Sequence, residues 1–190
     1  MMLPITAYGH PTLKKKGEEI SRDYPDLEKL IEDMYETMYH SKGVGLAAHQ
    51  VNKPIRLFVV DATPYEEEDT ACKDFKKVFI NAYITREEGE EWEFEEGCLS
   101  VPGINEYVKR KPVIYISYYD ENWNYHENEK YEGIIARIIQ HEYDHTEGIV
   151  FIERLPNIRK VLLRRKLNDI STGKINTGYK MIFPRKKNRK

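Results

Sequence analysis

From Pro25, a residue suited to the first turn of a helix, the apolar positions Leu27, Leu30, Ile31, Met34, Tyr35 and Met38 recur at spacings of three and four. That period puts them on one stripe of an amphipathic helix ending near Ser41, with Met34 and Met38 as core residues. A second helix is predicted from near Tyr131, because Ile134, Ile135, Ile138 and Ile139 repeat the spacing and Gly148 offers a stop. A third stripe, Ile158, Val161, Leu162 and Leu167, predicts a helix whose other face carries Arg159, Lys160, Arg164, Arg165 and Lys166. Residues 55–60, 78–80 and 113–119 read as buried strands, and Trp92-Glu93-Phe94 as an alternating one. Residues 1–21 read as an extended arm, since Pro4, Gly9 and Pro11 interrupt regular helix. Gly103 and Pro112 bracket a short connection, and residues 120–128 read as a polar turn region. Strands first and a buried helix afterwards argue for an α+β fold over alternating units on a parallel sheet.

At 190 residues the chain fits one domain with enough apolar content for a real core. It has no apolar run long enough to span a membrane and no basic-then-apolar N-terminal pattern, so a cytoplasmic protein with reduced cysteines is expected. Cys72 falls in the polar stretch 61–77, which reads as a solvated loop. Charge is distributed unevenly. From Pro156 onward there are twelve basic residues against one acidic one, so with a net charge of −2 overall the preceding part carries −13.

The candidate chemistry lies in Gln140-His141-Glu142-Tyr143-Asp144-His145. On a helix, residues four apart share a face, so His141 and His145 aim two imidazoles at one point. Glu142 follows the first ligand, where a carboxylate can reach a metal-activated water without entering the coordination shell. A catalytic metal usually takes three protein ligands and keeps one open position. In one class of HExxH peptidases the third is a histidine six residues past the second, but here that residue is Phe151. Another class uses a later glutamate, yet beyond Glu153 the only acidic residue is Asp169. The third ligand is therefore expected upstream, where Glu96-Gly97-Cys98-Leu99-Ser100 offers Cys98. His10, His40, His49 and His126 show no partner pattern and read as non-ligands.

Three segments, Gly43-Val44-Gly45-Leu46-Ala47-Ala48-His49-Gln50, Glu96 to Ser100 and Gln140 to His145, resemble in order and separation the signature motifs of peptide deformylases. The opening Tyr8-Gly9-His10-Pro11-Thr12-Leu13 resembles that family's start, and the likeness runs to about Leu167. It implies a fold of mostly antiparallel sheets around a central metal-binding helix, with an N-terminal and a C-terminal helix. Residues 1–170 would form the catalytic domain and 171–190 a basic tail that is not a separate domain.

The resemblance further implies removal of the formyl group from the N-terminal formylmethionine of nascent polypeptides, with release of formate. Cys98, His141 and His145 would hold one divalent metal, natively Fe²⁺, with Zn²⁺, Ni²⁺ or Co²⁺ able to substitute; spacing alone would suggest zinc. Glu142 would act as general base and then general acid, and Gln50 with the Leu99 N–H would donate to the carbonyl oxygen. Gly43, Val44 and Gly45 would bind the substrate backbone, and Val44, Leu99, Ile134 and Ile138 would enclose its methionine side chain. Glu96, Asp144 and Arg110 are candidates to orient the ligands. Two departures stand out: Asn105 where many deformylases carry arginine, and Ala82 after Asn81 where proline is frequent.

The basic C-terminal part suggests docking on a polyanion, which for an enzyme of nascent chains would be the ribosome. Rival readings are an HExxH metallopeptidase that cuts internal bonds, and a non-enzymatic nucleic-acid-associated module with a structural metal. No membrane partner is expected.

Overall fold

The computed structural model describes residues 1–184. Its elements are β1 (Ile5–Thr6), α1 (Leu27–His40), β2 (Gly45–Ala47), β3 (Leu57–Asp61), β4 (Lys76–Glu88), β5 (Trp92–Gly97), β6 (Asn105–Arg110), β7 (Val113–Tyr119), β8 (Tyr125–Glu132), α2 (Gly133–Thr146), α3 (Asn157–Ser171) and β9 (Met181–Ile182). Strands β2-β3-β4-β7-β8 form one sheet in that order, antiparallel throughout. β5 and β6 make an antiparallel ribbon, and β1 pairs in parallel with β9.

The continuous apolar run of β3 has a direct cause. Side chains alternate across a strand, so Phe58 and Val60 join Phe79 beneath Ile135 and Ile139 of α2. Leu57 and Val59 join Val78 and Ile80 beneath Leu30, Met34 and Met38 of α1. A helix covers each face, which is why the run is apolar at every position. Phe58 and Phe79 stack with ring centroids 4.7 Å apart, and each fully buried side chain of this kind contributes about 1.5–3 kcal/mol. A third core lies under α3, where Leu163, Leu167 and Ile170 meet Leu13, Val101, Val108 and Phe151.

Several sequence expectations are corrected. α2 begins at Gly133 because Tyr131 and Glu132 belong to β8. The expected turn region 120–128 holds only a short turn before β8, an edge strand whose polar side chains hide its period. The connection between Gly103 and Pro112 is mostly strand β6, whose inward residues include Glu106 and Arg110, so no apolar alternation announces it. On α3 the stripe is misplaced: Ile158, Val161 and Leu162 are 66%, 53% and 63% exposed, and Leu163, Leu167 and Ile170 face inward. Cys72 is fully buried in the core between α2 and the sheet, and burial beside Asp69 and Glu68 pushes its thiol up to about 11. Within the basic tail, Met181 and Ile182 form β9 and pair with β1; the basic residues 185–190 lie outside the described residues.

Candidate active site

α2 sits on the sheet through its isoleucines, which buries the turn bearing His141 and His145. Their ring centroids lie 5.3 Å apart, as expected for residues one helical turn apart. Cys98 follows the end of β5 in a turn closed by Val101 N–H donating to Cys98 O at 2.8 Å. That turn brings Cys98 Sγ to 3.4 Å from His145 Nε2, and one ligand atom from each of Cys98, His141 and His145 lies within 4.8 Å of the others. The upstream thiol and the helical pair therefore converge as the sequence suggests.

A buried ionic network aims these groups. His141 Nδ1–H donates to Glu96 Oε2 at 2.9 Å, which leaves Nε2 to face the cluster. Arg110 grips both Glu96 oxygens through Nε and Nη2, at 2.7 and 2.9 Å, and reaches Asp144 at 2.7 Å through Nη1. Arg137 Nη1 adds 3.0 Å to Glu96 and 2.8 Å to Val108 O, and Arg154 closes a fork on Asp144. Although burial raises the Glu96 carboxyl, Arg110 and His141 outweigh it and hold the group below the usual carboxylate range. Of the orienting candidates Glu96, Asp144 and Arg110, Glu96 touches a proposed ligand directly, and Arg110 and Asp144 connect to it through Glu96. Arg137 and Arg154 escaped sequence reading, although Arg137 stands four residues before His141 on the same helix.

Glu142 is buried, and Oε2 has no hydrogen-bond partner among the described residues. Burial is the main cause that pushes its carboxyl up to about 7, against the pull of His141. Gly45 is what admits it: a Cβ there would stand 2.5 Å from Glu142 Oε1. Gln50 is buried with its amide direction fixed, because Ala47 N–H donates to Oε1 at 2.9 Å. Its Nε2 is therefore turned towards Cys98 Sγ and Ser100 Oγ, each 3.4 Å away. Nothing among the described residues accepts from the Leu99 N–H.

These groups line a cleft of about 550 Å³. Gly43 and Val44, just before β2, and Gly45, its first residue, border it at an edge strand of the sheet, and Leu99 and Ile138 add apolar wall. Ile134 is not on that wall; it packs behind, in the core. Tyr65 and Phe94, which sequence reading passed over, complete the apolar end with ring centroids 6.2 Å apart. Asn105 is also at the cleft, beside Gly97. His49 is apart from the cluster, its Nε2–H donating to Lys15 O at 3.1 Å, and burial depresses it to about 4.

The residues fit a divalent cation. One sulfur and two imidazoles make a three-ligand set of the catalytic kind, with room for a further ligand. Burial, reinforced by His141, His49 and Arg110, holds His145 neutral, the form that ligates. The partnerless Glu142 oxygen faces no protein donor, which suits a carboxylate meant for water or substrate.

The model of the polypeptide deformylase family matches residues 2–161. A peptide deformylase of Christiangramia forsetii is 55% identical, the alignment covering 98% of each chain. One of Flavobacterium psychrophilum is 52% identical over 98% of this chain and 100% of the relative. Among solved structures, the peptide deformylase of Thermus thermophilus matches with a TM-score of 0.79 at 39% identity, covering 91% of this chain and 99% of that one. The Plasmodium falciparum enzyme does so with a TM-score of 0.79 at 37% identity, over 89% and 95%. Motif order, the converging sulfur and imidazoles, and relatives matching nearly end to end lead to one conclusion: the chain belongs to the polypeptide deformylase family.

Proposed function

We propose that Glu142, Gln50 and the Leu99 N–H divide the chemistry by which this deformylase removes the formyl group from N-formylmethionyl polypeptides. The observation that carries the reading is the Glu142 carboxylate, buried and with one oxygen unpartnered beside Cys98, His141 and His145. A cation held by those three residues supplies Lewis acidity, making water nucleophilic near neutral pH. Glu142 accepts the water's proton during attack on the formyl carbon and hands a proton to the departing amine, without which an amide leaves poorly. Gln50 Nε2 and the Leu99 N–H donate to the carbonyl oxygen as it gains charge. The segment Gly43, Val44 and Gly45, which leads into edge strand β2, takes the peptide main chain as an added strand. Val44, Leu99 and Ile138, with Tyr65 and Phe94, receive the methionine side chain, and Ile134 backs the pocket.

Fe²⁺ is the proposed native metal. The donor set does not separate first-row ions, so the assignment rests on the family resemblance, and metal analysis after anaerobic purification tests it. Formate release from formyl-Met-Ala tests the reaction. Glu142→Ala should abolish it, and Gln50→Ala should lower kcat by roughly 10²–10³ with metal content retained. Activity on acetylated or internal-bond analogues would instead indicate a peptidase. Against that alternative, Phe151 packs its ring 5.8 Å from the His141 ring at the position where such a peptidase has its third ligand.

A second proposal concerns α3. Arg164, Arg165 and Lys166 are exposed on it, whereas Arg159 is already engaged by Glu106. This supports salt-sensitive docking on ribosomal polyanion from a cytoplasmic location. Reversing Arg164, Arg165 and Lys166 to glutamate should weaken ribosome cosedimentation at low salt while formyl-Met-Ala turnover stays at the wild-type level. Unchanged cosedimentation would reject the proposal.

A further inference from the structure

After α3 the chain does not leave the molecule. Gly173, at φ +74, turns it back, with Lys174 N–H donating to Asp169 O at 2.8 Å. Ile175 and Met181 pack against the core beneath α3, so the segment is held at both ends. Between those anchors, Asn176, Thr177, Gly178 and Tyr179 border the catalytic cleft. Tyr179 Oη donates to Leu99 O at 2.8 Å. β9 is then fixed to β1 through Ile5 N–H donating to Lys180 O and Ala7 N–H donating to Ile182 O, both at 2.8 Å. The residue after that arm, Tyr8, donates its N–H to Ser100 O at 2.8 Å.

The Cys98–Ser100 turn supplies one metal ligand and one proposed oxyanion donor. The Leu99 and Ser100 carbonyls are thus bound by Tyr179, two residues before β9, and Tyr8, two residues after β1, and those strands are themselves paired. Rotating the Leu99 carbonyl away would break the Tyr179 contact, and moving Ser100 would break the one to Tyr8. A donor must stand ready before the reaction begins, so a restraint one peptide unit away has leverage on rate.

We propose that the strap formed by residues 174–182 belongs to the catalytic apparatus: Asn176 to Tyr179 are a wall that reads the peptide beyond its formylmethionine, and Tyr179 is a positioning residue for the Leu99 donor. Gly178 bears on the first role. A Cβ built there meets nothing within 4 Å, so the chain leaves this stretch of wall open to a peptide. Asn176 is exposed at the same place and has an amide suited to a peptide main chain.

The proposal rests on the deformylase reading, which wild-type formate release with a silent Glu142→Ala control checks independently. In the metal-loaded full chain, Tyr179→Phe removes only a hydroxyl. It should lower kcat on the order of tenfold for formyl-Met-Ala and for a formyl-Met tetrapeptide alike, with KM and metal stoichiometry held. Gly178→Leu and Asn176→Ala should raise the ratio of KM for the tetrapeptide to KM for formyl-Met-Ala several-fold. A Tyr179→Phe enzyme with wild-type kcat per bound metal, whether or not its Tm falls, would overturn the positioning role and make the contact structural only. An unchanged KM ratio in both wall variants would overturn the reading of the wall.

Discussion

At Gly45 the absent side chain matters most to a neighbour from another element. A methyl group there would collide with the Glu142 side chain, 2.5 Å from Oε1 and 2.7 Å from Cγ, so the carboxylate would have to leave its place. Gly45→Ala should therefore lower kcat on the order of 10²-fold, as displacement of a catalytic group by about an ångström does, with metal content preserved. Steady-state kinetics beside metal analysis checks this. At Gly43 the corresponding clash is 3.0 Å, with the flexible end of Leu99, and a substitution there is milder. In the sequence both glycines read as openings for the substrate, and the carboxylate is hidden because contacts across 97 residues of chain leave no local signature. His141 and His145 were legible because helical spacing makes them neighbours. Arg137, Arg154, Tyr65 and Phe94 were not, since each acquires its role only where separate segments meet.

The β7–β8 hairpin shows what periodicity misses at the level of an element. Its strands join through a turn ordered by one carboxylate: Asp120 accepts from Asn122 N and Asn124 N at 2.9 Å and from His126 Nε2 at 3.1 Å. Burial alone would raise that carboxyl, but His126 and the Asn124 and Asn122 donors outweigh it and bring it down to about 2. A depressed folded value stabilises the protein above the ordinary carboxylate pKa of about 3.9 and loses that contribution as pH falls towards 2. The difference in urea midpoint between wild type and Asp120→Ala should therefore shrink between pH 4 and pH 2. β8 itself was illegible because an exposed edge strand satisfies its backbone without apolar alternation. On α3 the apolar residues are too numerous to mark one face, and only packing against Leu13 and Phe151 selects Leu163, Leu167 and Ile170.

For the whole molecule, the α+β architecture is readable because α1 has a clear helical period and 55–60 and 113–119 are short apolar runs of strand length. The three-dimensional order of strands is not, since β5 and β6 form a separate ribbon and β1 waits for β9. The cleft lies where three parts of the fold meet: the edge of the main sheet, the end of the ribbon and the buried face of α2. With Glu96, Glu142 and Cys98 gathered there, a bound cation stabilises the folded state alone. Chelation should lower Tm by roughly 5–10 °C when the metal had been present at about a hundred times Kd, and adding metal back should restore it.

The parallel contact of Ile5 with Met181 spans almost the full length of the chain. The partner of Ile5 lies 176 residues further along the chain, so during synthesis β1 must wait for all of that polypeptide before β9 can pair with it. The enzyme that trims newborn proteins finishes its own doorway only once β9 has been made.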